Sequence, residues 1–398
     1  MKVTKGNRLH IGFFGNRNAG KSSLVNKIIG QELSIVSDTP GTTADVNQKS
    51  MELLPIGSVV LMDTAGVDDI GNLGVLRVQK SYKALDRADV AVVVFDNNPL
   101  NAADFNFINE IKNKNIPLLV VLNKTDIGMM PQGDIEELEK RADFILKLSA
   151  LYDDNIPVKF KNALIKILPE DFIKETPILS DIIKPIDVVI LVIPIDKEAP
   201  KGRLILPQVN VLRELLDIGA VTITVKETEL NCALGKLNAP PRLIITDSQA
   251  FKKVNEIVPC GIQLTSFSIL FARLKGDLKT FLKGANKLDS LCGGDKILVL
   301  ESCSHHPIED DIGRVKIPNL IKNYTGKDLI FEHYAGHDFP SDISKYSLII
   351  HCGACMTNRR EVLNRIETSL NNNVPITNYG ITIAKCLGIL DRAVEIFN

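Results

Sequence analysis

The chain has 398 residues, 45% of them hydrophobic, and its 47 basic and 48 acidic side chains leave a formal net charge of -1. A chain of this length is expected to form two or three domains, each with its own core. The charge balance argues against nucleic acid or an anionic membrane as a partner, and no apolar run approaches the ~20 residues of a membrane helix.

The amino-terminal residues and the cysteine count indicate a reducing compartment. Charged residues run directly into an apolar strand, with no signal-peptide cleavage site behind it. Seven cysteines in a chain of this length are not typical of a disulfide framework. We therefore predict a cytoplasmic protein with free thiols.

Residues 1–170 are predicted to form an α/β domain with a mainly parallel sheet. Short β-branched runs alternate with helical patterns, which is typical of helices packed on both faces of parallel strands. The predicted strands are Ile11–Phe14, Val59–Met62, Val90–Phe95, Leu118–Leu122 and Ile145–Leu148. The prolines that mark the following linker are Pro169, Pro177 and Pro185.

Residues 178–262 and 263–398 are predicted to form two further α/β domains. The middle domain lacks a phosphate loop and any cluster of catalytic groups, so we interpret it as an interaction or dimerisation domain rather than a catalytic one. Its predicted elements are Val188–Ile193, helix Val209–Leu216, Val221–Val225, helix Glu227–Leu234, Leu243–Ile245 and helix Gln249–Val258. The third domain is predicted to contain a long helix, Ser268–Leu288, followed by strands Ile297–Leu300, Leu329–Phe331, Leu348–Ile350 and Pro375–Thr377 and helices Leu320–Asn323 and Arg359–Leu370.

A phosphate-binding loop follows the first predicted strand. The residues from Gly15 to Ser22 read Gly-Asn-Arg-Asn-Ala-Gly-Lys-Ser and lie between a strand and a helix, the context that such a loop requires. Backbone N–H groups between Gly15 and Gly20 and at Ser23 would surround the phosphates. Lys21 would reach the β and γ oxygens, and Ser22 would bind Mg²⁺.

Further segments complete a guanine-nucleotide site. Asp63 ends a predicted strand and would hold Mg²⁺ through water, and Gly66 would sense the γ-phosphate. The Asp126 carboxylate can accept both N–H donors on the guanine edge. The expected base pocket consists of Asn123, Lys124, Asp126, Ser149 and Ala150. The sequence therefore predicts that GTP and GDP bind here.

On these motifs the first domain resembles the translation-factor-type GTPases, in the branch of MnmE and Era. Residues 38–45 are similar to that branch's switch I, whose threonine, Thr42 or Thr43, would close on Mg²⁺. The expected catalytic residues are Lys21, Thr43, Asp63 and Gly66.

A monovalent cation is a further expectation from this resemblance. Asn18 matches an asparagine that helps to bind K⁺ in the potassium-activated members, where the ion can act in place of an arginine finger. Val67 stands where signalling GTPases carry a glutamine, and a valine cannot orient water by hydrogen bonding. We expect slow intrinsic hydrolysis that K⁺ stimulates more than Na⁺.

The third domain carries a second candidate site. Cys352 and Cys355 form a CxxC motif directly after one predicted strand, and Cys303 and His305 follow another. Ligands gather outside the carboxyl ends of parallel strands, so three thiols and an imidazole are expected to meet. Such a set suits an iron–sulfur cluster or a Cys₃His zinc site, whereas CxxC alone can be a redox pair.

These two cysteine motifs, joined to this GTPase domain, resemble the HydF family of FeFe-hydrogenase maturation GTPases over the entire chain. The resemblance implies a 4Fe-4S cluster on Cys303, Cys352 and Cys355, with an exchangeable fourth ligand for which His305 is the first candidate. The alternatives for that position are His306, His351, Glu301, Glu309 and Asp310.

The same resemblance implies a homodimeric scaffold with a defined set of partners. It would receive a di-iron precursor from the radical-SAM maturases HydE and HydG and deliver it to the apo FeFe-hydrogenase. A tRNA- or ribosome-associated GTPase with a structural zinc site is the main alternative. A third hypothesis is a GTPase regulator with a thiol switch, but it leaves Cys303 and His305 without a role.

Overall fold

The computed structural model describes residues 8–30, 47–64, 81–168, 177–195, 204–302, 311–340 and 342–397. The chain divides into two compact units, residues 1–175 and 176–398. None of the helices in the described ranges combines the length and apolar content of a transmembrane span.

The first unit is built on a six-stranded sheet covered by helices. Its strands are β1 Leu9–Phe14, β2 Asn47–Leu53, β3 Gly57–Asp63, β4 Val90–Phe95, β5 Leu118–Leu122 and β6 Phe144–Lys147, and its helices are α1 Lys21–Ile29, α2 Ala102–Asn113, α3 Gln132–Glu139 and α4 Ile156–Ile167. The order is β2-β3-β1-β4-β5-β6. All neighbours are parallel except β2 and β3, which pair antiparallel.

Both faces of this sheet are buried, as expected for parallel strands. Phe13 packs on Phe160 at one face, with ring centroids 5.6 Å apart, and Phe14 packs on Phe107 at the other, at 5.2 Å. The five predicted strands are confirmed to within two residues at each end. The prediction missed β2, because this edge strand is mostly exposed and has no apolar run.

The second unit contains two four-stranded parallel sheets. The strands of the second sheet are β7 Val188–Val192, β8 Val221–Val225, β9 Leu243–Thr246 and β10 Gln263–Ser266, in the order β10-β9-β7-β8. Its helices are α5 Leu206–Ile218, α6 Leu230–Gly235, α7 Phe251–Ile257 and α8 Phe267–Lys275. Strand β10 lies beyond residue 262, where the sequence suggested a boundary, so the second sheet extends into the next predicted segment.

The predicted long helix Ser268–Leu288 is wrong, because two helices occupy its place. Helix α8 ends at Lys275, and α9, Leu278–Ala285, starts anew after Gly276. The Asp277 side chain caps α9 by accepting a hydrogen bond from the backbone N–H of Thr280 at 3.2 Å. Asp277 thus begins α9, whereas Gly276 ends α8.

The third sheet contains β11 Lys296–Glu301, β12 Ile330–Ala335, β13 Leu348–His351 and β14 Ile376–Asn378 in the order β12-β11-β13-β14. Its helices are α9, α10 Ile317–Thr325, α11 Arg359–Asn371, α12 Tyr379–Cys386 and α13 Leu390–Val394, and a π-helical turn, Ile312–Lys316, precedes α10. The chain leaves β11 for β12 on one side and then crosses to β13 on the other. The crevice between β11 and β13 is therefore the topological switch point, where ligands of open α/β sheets gather.

The second and third sheets share one hydrophobic cluster. It includes Ile190 and Leu264 from the second sheet and Leu298 and Ile349 from the third. Helices α8 and α9 connect the two sheets in the chain, so movement of one sheet against the other would disturb a common core.

Candidate functional site

The phosphate loop in the first unit joins β1 to α1 and has the backbone that its glycines allow. Gly15 has a φ of +128°, and a Cβ at this position would lie 2.1 Å from the carbonyl oxygen of Val94. Gly20, with a φ of +93°, packs so closely on Asn123 that a Cβ would lie 2.2 Å from its Nδ2. Both positions exclude other residues, since a left-handed φ and a close contact act together.

Lys21 is buried and folds back over this loop. Its ammonium donates hydrogen bonds to the carbonyl oxygens of Gly15 at 2.9 Å and Asn16 at 2.8 Å. The loop therefore holds one positive charge beside its own backbone N–H groups, an arrangement that suits a polyphosphate.

Ser22 and Asp63 meet beside the phosphate loop. The Ser22 hydroxyl donates to Asp63 Oδ2 at 2.6 Å, and burial raises the pKa of Asp63 although Ser22 and Lys21 act in the opposite direction. Asp63 Oδ1 is buried, with no hydrogen-bond partner among the described residues. A hydroxyl and a carboxylate with a free oxygen fit the hard, oxygen-rich coordination of Mg²⁺.

Asn123 connects the base side of the site to the phosphate loop. Its Nδ2 donates to the carbonyl oxygen of Ala19 at 2.9 Å, and its Oδ1 accepts from the N–H of Ala150 at 2.9 Å. Lys124 pairs with Asp96 at 3.3 Å, a partner that sequence reasoning missed although Asp96 directly follows β4. Of the predicted base-pocket residues, Asp126 is exposed and Ser149 is buried.

The remaining nucleotide positions divide between described and undescribed residues. Asn18 is exposed and has a left-handed φ of +62°, and Ser23 is exposed on the first turn of α1. Thr42, Thr43 and Gly66, together with switch I and Val67, lie outside the described residues.

The cysteine site of the second unit lies at the switch point of the third sheet. Cys352 directly follows β13, and Ser302 directly follows β11. The backbone N–H of Ser302 donates to Cys352 Sγ at 3.1 Å, and the two side chains are also within 3.1 Å. Cys303, the next residue after Ser302, lies outside the described residues.

Cys355 lies one turn beyond Cys352 in the loop that leads to α11. Ala354, between them, has a left-handed φ of +55°, which costs energy for a residue other than glycine and is typical of functional loops. Burial raises the pKa of the Cys355 thiol to about 11, and Cys352 adds to this rise. Without metal this thiol is protonated at neutral pH, so metal binding here would release its proton.

His351 is fully engaged by its neighbours. Its Nδ1 is 2.8 Å from the carbonyl oxygen of Cys352, and its Nε2 is 2.9 Å from Arg365 Nη1. Because arginine only donates, Nε2 accepts and Nδ1 carries the proton. Burial, with Arg365 as a second cause, lowers the pKa of His351 to about 4, which keeps the ring neutral.

Arg365 extends this network away from the cysteines. It pairs with Glu361 at 2.8 Å, donates to the carbonyl oxygen of Gly336 at 3.0 Å, and is 4% exposed. Glu361 also accepts from His337 Nδ1 at 3.0 Å. Apart from their spacing of one helical turn, Arg365 and Glu361 show no local sequence pattern that would predict this role.

The other candidate ligands are less central or undescribed. Glu301 is buried at the end of β11, with Arg314 Nε 4.0 Å from its carboxylate. His305, His306, Glu309 and Asp310 lie outside the described residues. Within the described ranges no three His, Cys, Asp or Glu side chains converge on a metal position. The thiols of Cys352 and Cys355 are nevertheless soft donors of the kind that iron–sulfur clusters use, and Cys352 contacts Ser302, the chain neighbour of a third cysteine.

Three family models match successive parts of the chain. Residues 10–124 match a 50S ribosome-binding GTPase, residues 178–276 the hydrogen maturase F dimerization domain, and residues 279–396 the hydrogen maturase F tetramerization domain. The two hydrogen maturase F models together cover more than half of the chain. The chain belongs to the hydrogen maturase F family. The predicted family and the three-part α/β architecture with an amino-terminal GTPase domain are thereby confirmed.

Curated relatives align with the GTPase domain of this hydrogen maturase F chain. The tRNA modification GTPase MnmE of Helicobacter acinonychis is 39% identical over 137 residues, which are 34% of this chain and 29% of the relative. GTPase Der of Clostridium kluyveri is 38% identical over 127 residues, 30% of this chain and 28% of the relative. The chain thus spans less than a third of the length of these relatives.

Among solved structures, Era of Aquifex aeolicus is similar with 23% identity and a TM-score of 0.32, over 57% of this chain and 95% of that one.

Proposed function

We propose that this chain is a GTP-hydrolysing scaffold of hydrogenase maturation. Its first unit binds GTP and GDP, with Lys21 on the phosphates and Ser22 and Asp63 around Mg²⁺. Their contacts at 2.6–2.9 Å support these roles. Thr42, Thr43 and Gly66 are assigned from the motifs alone, as the nucleotide-sensing groups.

The base is bound in this proposal by Asp126 and the residues around Asn123. Asn123 also has a structural role, because its side chain hydrogen-bonds both to Ala19 in the phosphate loop and to Ala150 on the base side. The exposed Asp126 carboxylate is open to the guanine edge. K⁺ near Asn18 would supply the positive charge that other GTPases obtain from an arginine finger.

The second unit is proposed to hold a 4Fe-4S cluster on Cys303, Cys352 and Cys355. The observation that carries this proposal is the contact of Ser302 with Cys352 Sγ at 3.1 Å, because Ser302 is the chain neighbour of the third cysteine. When bound, the cluster would supply iron with one exchangeable coordination position for a di-iron precursor.

His305 remains our proposed ligand for that exchangeable position. Both ring nitrogens of His351 already have partners, at 2.8 and 2.9 Å. Binding iron through His351 would break the contact with Arg365 or with the Cys352 carbonyl, so His351 is better suited to orient the cysteine loop.

Self-association and partner exchange complete the proposal. The matches to dimerization and tetramerization domains support a homodimer formed through the second sheet. The partners would be HydE and HydG, as sources of the di-iron precursor, and the apo FeFe-hydrogenase as its acceptor. The nucleotide state would change the affinity for these partners through the switch regions.

Metal analysis of anaerobically purified protein tests the scaffold role. We expect about four irons per chain, as a 4Fe-4S cluster requires. Cys352→Ala and Cys355→Ala should lose the iron, whereas Cys232→Ala, which removes an exposed thiol on α6, should retain it. Stoichiometric zinc in place of iron would favour the tRNA- or ribosome-associated alternative.

Nucleotide binding tests the proposed GTPase role. Lys21→Ala should weaken GTP binding and leave the iron content unchanged.

Two measurements test self-association and the switch role. Light scattering at micromolar concentration should give at least a dimer. Equal affinity for the partner proteins in the GTP and GDP states would contradict the proposed switch role.

A further inference from the structure

A buried lysine reaches the cysteine loop from outside the cysteine motifs. Lys275, the last residue of α8, is only 4% exposed, and its Nζ donates to the carbonyl oxygen of Thr357 at 3.1 Å. Helix α8 follows β10 of the second sheet, so the lysine comes from the segment that matches the dimerization domain.

Thr357 links this lysine to the cysteines. It lies two residues after Cys355, and its hydroxyl is 3.2 Å from the hydroxyl of Ser302. Ser302 in turn contacts Cys352 Sγ. A series of short contacts through Thr357 and Ser302 therefore runs from the Lys275 ammonium to the Cys352 thiol, at the same end of the third sheet.

The end of α8 is held against this loop by a second contact. Arg359, at the start of α11, donates to the carbonyl oxygen of Leu274 at 3.3 Å. Gly276 then ends the helix, at a position where a Cβ would lie 2.4 Å from the Phe281 ring. These contacts restrict where the lysine side chain can lie.

The Lys275 ammonium is buried against the loop that carries Cys352 and Cys355. In a site of low dielectric constant, a fixed positive charge favours the more negative of two states. Three thiolates make a 4Fe-4S cluster negative overall, and reduction adds a further negative charge.

We propose that Lys275 is a positioning residue that holds a buried positive charge beside the cysteine loop and favours the reduced state of the cluster bound there. This inference rests on the proposed iron–sulfur function. It gives the second sheet a part in the cluster site, since its last helix supplies the charge.

The test is a redox titration of the full-length, anaerobically purified protein, followed by the electron paramagnetic resonance of the reduced cluster. Lys275→Met should lower the midpoint potential by at least the equivalent of a tenfold change in the reduction equilibrium, about 59 mV for one electron. Lys275→Arg keeps the charge and should stay close to wild type. Lys279→Met removes an exposed charge on α9 and should leave the potential unchanged.

Each outcome decides between the two proposals. Wild-type protein without iron would overturn the proposed function and this inference with it. Iron-loaded Lys275→Met with an unchanged potential would overturn the inference alone. If Lys275→Met and Lys275→Gln both lose iron while Lys275→Arg retains it, the charge requirement is supported. Loss of iron in all three variants, including Lys275→Arg, would show that Lys275 acts through packing and not through its charge, and would overturn the inference.

Discussion

Replacement of Arg365 by methionine should strongly destabilise the second unit. Arg365 and Glu361 are 4% and 5% exposed and pair at 2.8 Å, one helical turn apart on α11. Removal of one partner from a buried ion pair costs about 3–5 kcal/mol, because the other charge stays buried. His351 and the Gly336 carbonyl each lose a hydrogen bond as well, and methionine regains only part of the loss through packing.

Urea unfolding of the iron-free protein measures this effect. The chain has no tryptophan, and four of its six tyrosines lie in the second unit, so tyrosine fluorescence reports mainly on that unit. Nucleotide binding by the first unit serves as an internal reference and should not change. Arg365→Met should lower the free energy of unfolding of the second unit by about 3–5 kcal/mol.

Two further variants separate burial from charge pairing. The double variant Glu361→Gln with Arg365→Met has no buried carboxylate that has lost its arginine, and it should recover part of the stability. Arg213 pairs with Asp217 at the same spacing on α5, but both side chains are more than half exposed. Arg213→Met should therefore leave the unfolding midpoint nearly unchanged. A loss for Arg365→Met no larger than for this control would refute the reasoning.

Three other predictions concern the loops and one close packing contact. Gly15→Ala should abolish GTP binding, measured by calorimetry, because its Cβ would lie 2.1 Å from the Val94 carbonyl. The GTPase rate should be higher in KCl than in NaCl, and equal rates would reject a cation at Asn18. Gly284→Ala should lower the melting temperature of the second unit, since its Cβ would lie 1.9 Å from the Ile376 carbonyl oxygen, whereas Gly133→Ala, in open space on α3, should not.

The parts of the fold that the sequence predicts well are those that local chemistry determines. Buried parallel strands such as Val90–Phe95 are continuous apolar runs, and the phosphate loop needs its residues in one short segment. A search for apolar runs does not find edge strand β2, because its side chains are mostly exposed. The break between α8 and α9 could have been predicted from the sequence, because Gly276 is typical of a helix end and Asp277 is typical of a helix N-cap.

The surroundings of the cysteines could not be predicted, because they come from distant parts of the chain. Lys275 looks like the polar end of an amphipathic helix, and only the packing of α8 on the third sheet brings it to Thr357. Arg365 likewise has an ordinary helical spacing to Glu361. Its burial and its contact with His351 follow from tertiary structure alone.

Strand register is what brings Ser302, the residue before Cys303, beside Cys352. Leu300 of β11 lies opposite His351 of β13, and this pairing sets Ser302 beside Cys352. Side chains alternate along a strand, so a slip of one residue would turn one thiol to the other face of the sheet. The fully buried side chains of β11 and β13 oppose such a slip. In the proposed cluster site the three thiols depend on this folded sheet, so Gly284→Ala, which disturbs β14 at the sheet edge, should reduce iron retention although no cysteine is altered.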